Sequence, residues 1–123
     1  MFTAFLDSRL RAAQGKAMTK MLAPEQCETM AEVRAGVDQT DRELVALLAR
    51  RFGFMDAAAR IKPDRCHVRD ERRKAEVIEN ARRHARSAGI PEAVVAAIWE
   101  TLVEGSIAYE LERFDALRED PAR

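Results

Sequence analysis

The sequence predicts an all-α domain of three helices built around an unusually long first helix. Three observations predict it: abundant Ala, Glu, Arg and Leu, only 5 Gly and 4 Pro in 123 residues, and apolar positions recurring at helical spacing. Residues 1–23 read as an N-terminal extension, helical or mobile, because their apolar positions are sparse and Pro24 separates them from the first long periodic segment. From Glu28 to Lys62 there is no proline, and Met30, Val33, Val37, Leu44, Leu48, Met55 and Ala58 recur on one stripe, so a single helix is expected over 28–62, halted by Pro63. Asp70 is an acceptable N-cap for a second helix that passes through Val77 and Ile78 and ends at Gly89. Pro91 then opens a third helix in the first-turn position that proline tolerates, with Val95, Ile98, Trp99, Leu102, Ser106 and Tyr109 on its buried face as far as about Phe114. The organisation expected is an extension over 1–23, a helical domain over 24–118 and a short tail over 119–123.

A chain of this length supports one hydrophobic core. A first helix of this extent would be about 50 Å long at 1.5 Å per residue, longer than a compact globule of this size is wide. Three helices of such unequal length cannot cover one another's apolar stripes, so an intertwined helical-bundle homodimer is expected.

The charge balance excludes several partners. With 21 basic and 21 acidic residues there is no global positive field to gather nucleic acid. The basic run RRHAR at 82–86 has Glu76 and Glu79 within a turn or two and no interleaved aromatics, which favours a solvated helix face. No stretch approaches the roughly 20 apolar residues of a membrane span, and the apolar start of the chain is broken by Asp7, Arg9 and Arg11. Cys27 and Cys66 are far apart, so a reduced cytoplasmic protein is expected. His67 and His84 are read as loop and surface residues, with no third ligand in view and no metal expected.

The informative residues are polar ones on apolar faces. At about 100° per residue, Arg51 and Lys62 fall on the line of Val33, Val37, Leu44, Leu48 and Met55, so two cations point inward. Burying an unpaired cation costs several kcal/mol, so each needs an anion beside it. That anion is either an internal carboxylate or a ligand, or else the long stems snorkel to solvent. Arg51 and Lys62 lie three turns apart, roughly 16 Å along the axis, a spacing suited to gripping the two ends of a small dianion. Arg34, at the edge of the stripe, is about 25 Å from Arg51 along a straight helix, so it joins the same pocket only from a second subunit. On the third helix Ser106 and Glu110, at i and i+4, interrupt the apolar face. Glu110 is either the counterion of one of the cations or a catalytic group. Asp70 and Arg73, one turn apart, read from spacing as a local ion pair.

These residues fall in four blocks, VRAGVDQTDRELVALLARR, AARIK, VRDERR and LVEGSIAYE, that resemble the all-helical chorismate mutases in order and spacing from about Pro24 to Phe114. The resemblance implies three helices per chain, swapped into a dimer with two equivalent sites that act on a small dicarboxylate without a cofactor. It implies that Arg51 and the second subunit's Arg34 bind the substrate carboxylates, and that Lys62 reaches a carboxylate and the ether oxygen. Asp70, Arg73 and Ser106 would line the ring side, and Glu110 would donate a hydrogen bond to the breaking ether bond. The implied reaction, chorismate to prephenate in aromatic amino acid biosynthesis, is unimolecular and needs only positioning and stabilisation of charge on the ether oxygen. Because a carboxylate cannot donate, Glu110 would act protonated, with activity falling as pH rises through its titration.

One position departs from that pattern. After Arg73 the typical mutase has a glutamate that bonds the ring hydroxyl, and here stands Lys74. The related isochorismate pyruvate lyases, which make salicylate, also lack that glutamate, and PEQC followed by EVR resembles their N-terminal stretch. Ser106 and Glu110 match the mutase pattern, where those lyases carry an aromatic and a glutamine, so the mutase is favoured and the lyase is the alternative. A third reading, a non-catalytic helical dimerisation or adaptor module, would have Arg51 and Lys62 satisfied by internal carboxylates with no pocket between them.

Overall fold

The computed structural model describes residues 22–119. The expected extension and tail therefore lie outside the described residues, apart from Leu22, Ala23 and Glu119. The described chain is all-α, as its sequence predicts. It comprises a 3-10 turn at Pro24–Gln26, helix α1 at Met30–Ile61, a 3-10 turn at Arg65–His67, helix α2 at Glu71–Ala88 and helix α3 at Glu92–Leu117. Among the described residues there is no strand, and no helix is long and apolar enough to cross a membrane.

Capping chemistry sets the helix ends. α1 begins two residues later than periodicity predicts because Thr29 and Glu32 close a reciprocal cap. The Glu32 N–H donates to Thr29 Oγ1 at 3.1 Å, and Glu32 Oε1 accepts from the N–H groups of Glu28 and Thr29 at 2.8 and 3.0 Å. Those backbone donors hold the Glu32 carboxyl below its ordinary pKa. α2 starts as expected, with the Asp70 side chain accepting from the Arg73 N–H at 3.0 Å. It ends at Gly89, whose φ of 73° only glycine adopts without strain, leaving its N–H free to bond the Ala85 and Arg86 carbonyls. Pro91 stands one place earlier than expected, at the N-cap of α3 instead of inside its first turn.

The chain divides into two compact units, covering 22–48 and 49–119 of the described residues, with α1 running through the division. In the first unit the apolar stripe of α1 is present but uncovered: Val33, Val37, Leu44 and Leu48 are all exposed. Gln39 is its buried polar residue, donating to Glu43 at 3.0 Å and accepting from Arg42 at 2.6 Å. Pro24, Cys27, Val33 and Val37 are among the walls of a mostly apolar hollow of about 400 Å³.

In the second unit, α2 packs against α3, and the core comprises Ala59, Val68, Val103, Ile107 and Phe114 with Val77, Ile78, Trp99 and Leu111 against them. The buried stripe of α3 runs through Ala96, Val103, Ser106, Ile107, Glu110 and Phe114, rotated from the expected face. Ile98, expected inside, is 51% exposed. Apolar side chains surround this helix on all sides, so periodicity alone does not single out the covered face. The buried residues of α3 end at Phe114, as expected, and the helix runs on to Leu117.

Two contacts hold the last turns of α1 in place. Tyr109 donates to Asp56 at 2.8 Å and stacks edge-on against Phe52, with ring centroids 4.9 Å apart. The Asp56 carboxylate that takes this bond raises the Tyr109 pKa. Arg118 donates to the Ala59 and Lys62 carbonyls at 2.9 and 2.8 Å, satisfying acceptors that a helix end leaves open, while its guanidinium lies over the Phe114 ring.

Candidate active site

A cavity of about 340 Å³ lies within the second unit. α1 contributes Arg51, Met55, Ala58 and Lys62 to its wall, and α2 contributes Asp70, Arg73, Lys74 and Val77. Val103, Ser106, Ile107 and Glu110 of α3 close it, together with His67 and Val68 from the connecting turn. Six of the seven predicted site residues thus line one space. The seventh, Arg34, belongs to the first unit, where it is exposed and makes no ion pair or side-chain hydrogen bond among the described residues.

Arg51 is the electrostatic centre of the site. Its Nη1 donates to Ser106 Oγ at 2.8 Å, and that hydroxyl in turn donates to the Leu102 carbonyl at 2.7 Å. Ser106 is 4% exposed, so this relay fixes the guanidinium from behind. Among the described residues no carboxylate pairs with Arg51. Burial, and secondarily repulsion from Arg73, lower its pKa. A desolvated guanidinium with no counterion is an open demand for an anion.

Lys62 meets Glu110 instead. Lys62 Nζ lies 2.8 Å from Glu110 Oε2, with the lysine side chain 30% exposed and the glutamate 5%. That distance is an ion-pair contact, but its angle is not that of a hydrogen bond, and Oε2 accepts none among the described residues. The internal-counterion explanation therefore holds for Lys62 and fails for Arg51. The ion pair faces a cavity, so the interior is not filled as a purely structural pairing would require.

The remaining charges have partners of their own. Asp70 and Arg73 do not form the side-chain ion pair that their spacing predicts. Asp70 is occupied in capping α2, and the Arg73 guanidinium turns to Glu76, one turn further along the same helix. Lys74 Nζ is clamped by Glu100 at 2.6 Å and Glu104 at 2.7 Å, and Arg69 Nη2 reaches Glu104 at 2.7 Å. The hydrogen bonds that Lys74 donates to the Glu100 and Glu104 carboxylates push its pKa up to about 12. The Arg69 and Lys74 donors hold the Glu104 carboxyl down to about 2. Folded Glu104 therefore binds fewer protons than an unfolded carboxyl of pKa about 4.3. Its stabilisation is complete above that value and is lost as pH falls towards 2. A Glu104→Gln variant is accordingly expected to be less stable at neutral pH, and its thermal melting midpoint followed by circular dichroism should depend less steeply on pH over that interval.

Sequence reasoning named the cations and the Ser106–Glu110 pair but not the apolar wall of Met55, Val68, Val77, Val103 and Ile107, nor His67. The wall residues come from four separate segments, and only the packing brings them together. A cavity with a desolvated guanidinium at one point, an ammonium–carboxyl contact at another and an apolar lining between can hold a small dianion against hydrogen-bond donors.

Residues 33–111 match the family chorismate mutase type II. One known relative, the isochorismate pyruvate lyase of Pseudomonas aeruginosa, is 26% identical over 91 residues, which span 74% of this chain and 90% of the lyase. With the family match covering well over half of its length and embracing all seven predicted site residues, the chain belongs to the type II chorismate mutase family.

Proposed function

We propose that the cavity binds chorismate as a dianion and converts it to prephenate. The observation that carries this reading is Arg51, half-buried, oriented by Ser106 and without a carboxylate partner among the described residues. In the rearrangement the enolpyruvyl ether C–O bond breaks while a carbon–carbon bond forms from the enolpyruvyl methylene to the ring, with no atom gained or lost. Negative charge accumulates on the ether oxygen in the transition state. Arg51 holds a carboxylate, and Lys62 and Glu110 stabilise the ether oxygen. In its acid form Glu110 donates the hydrogen bond, and Lys62 is then free to turn from it to the substrate. No cofactor is required.

The reading includes a homodimer in which Arg34 of a second copy completes the site. The exposed apolar residues beside Arg34 on α1, Val33, Val37, Leu44 and Leu48, support it, since a row of this kind is normally covered in solution. Mixing an inactive Arg34→Ala chain with an inactive Arg51→Ala chain tests it. Re-equilibrated dimers are expected to recover about a quarter of the sites, and no recovery would refute a contribution of Arg34 across subunits.

Isochorismate pyruvate lyase activity is the second reading, favoured by the Pseudomonas relative and by Lys74. With its ammonium tied to Glu100 and Glu104, Lys74 leaves no acidic acceptor for a ring hydroxyl at that point of α2. The lyase reaction breaks the same ether bond but passes a ring hydrogen to the departing pyruvate. Feeding purified protein chorismate and isochorismate separately distinguishes them: prephenate from the first supports the mutase, and salicylate with pyruvate from the second supports the lyase. Neither product forming would favour a non-catalytic module.

A further inference from the structure

The turn joining α1 to α2 carries three metal-ligating side chains for which the proposed reaction has no use. A carboxylate oxygen of Asp64, Sγ of Cys66 and a ring nitrogen of His67 all lie within 4.8 Å of one another. The backbone brings them there. Pro63 follows the end of α1, and the chain tightens into the 3-10 turn Arg65–His67, with the His67 N–H donating to the Asp64 carbonyl and the Val68 N–H to the Arg65 carbonyl, both at 3.1 Å. Val68 anchors the turn in the core, and the Arg65 side chain is drawn off to Asp115 at 2.9 Å. Asp64, Cys66 and His67 are exposed, and their side chains make no hydrogen bond or ion pair among the described residues. From sequence the Cys66–His67 pair lacks a third ligand; the turn supplies Asp64.

We propose that this turn is a binding site for a divalent ion of the zinc class, held by the Asp64 carboxylate, the Cys66 thiolate and the His67 imidazole with a fourth position open. One oxygen, one sulfur and one nitrogen make a borderline donor set, unsuited to magnesium or calcium, which take oxygen ligands. Tetrahedral zinc bonds of about 2.0–2.3 Å place donors about 3.4–3.6 Å apart, so rotation of exposed side chains by roughly 1 Å closes the site. Carboxylate and thiolate together balance the ion's two charges. His67 is also a wall residue of the cavity, so the ion would sit at the border of the anion site without depending on which reaction occurs there.

The test is a titration of the reduced, chelator-treated full chain with Co²⁺, following the thiolate-to-cobalt charge-transfer band, with Zn²⁺ as competitor and circular dichroism to confirm folding of each variant. The expected result is a band saturating at one ion per chain, displaced by Zn²⁺ and retained in Cys27→Ser. It should be absent in Cys66→Ser, and binding should weaken by about tenfold or more in His67→Ala and Asp64→Asn. Three results would each overturn the proposal: no saturable band, a band that survives Cys66→Ser, or unchanged affinity in both His67→Ala and Asp64→Asn.

Discussion

Arg51→Ala is expected to lower kcat/KM for chorismate by about 10²–10³-fold, the loss typical of a deleted preorganised donor. The guanidinium is already partly desolvated and held by Ser106 before any ligand arrives, so the protein has met much of the cost of orienting it. Folding should survive the change, because Ser106 keeps its bond to the Leu102 carbonyl and no internal carboxylate is left unpaired. Arg51→Lys should fall between the two, retaining charge but losing the planar fork that grips a carboxylate at two points. Steady-state kinetics with a thermal melt of each variant checks this. Wild-type kcat/KM in a folded Arg51→Ala protein would remove Arg51 from the site.

The second large effect concerns Glu110. A carboxyl that is 4% exposed, with one oxygen beside Lys62 yet accepting no hydrogen bond, is placed to meet a substrate atom. Only its acid form donates to an ether oxygen, whereas the carboxylate repels the developing negative charge. Glu110→Gln, whose amide also donates, should stay within about tenfold of the wild type, while Glu110→Ala should lose about 10²–10³-fold. Steady-state kinetics of the three folded proteins decides the matter. A folded Gln variant inactive at every pH would refute donation from Glu110.

How far the sequence discloses this site depends on the kind of interaction. Helix extents follow from local rules, and Pro63, Asp70 and Gly89 stop or start helices as their chemistry requires. The Thr29–Glu32 cap was also legible, as Thr-x-x-Glu before an apolar run, although the apolar spacing pointed two residues earlier. Arg51, Lys62, Ser106 and Glu110 stood out because a charge or hydroxyl on an apolar stripe is costly, and all four line the cavity. Partner choice was not legible. Arg73 had acidic neighbours at 70 and 76, and only the capping duty of Asp70 assigns it to Glu76. The Lys74 clamp depends on the register of α2 against α3, which the short connection through Gly89 and Pro91 sets and no periodicity reports.

The claim on which the rest depends is that Arg51 and Lys62 face a space fitted to a doubly negative ligand. Calorimetric titration with a stable bicyclic dicarboxylic ether, shaped like the folded transition state, tests it without turnover. One molecule should bind per chain, at least about 10²-fold more tightly than prephenate, and binding should be lost in Arg51→Ala. Failure of the wild-type protein to bind it, or equal binding by Arg51→Ala, would contradict the account.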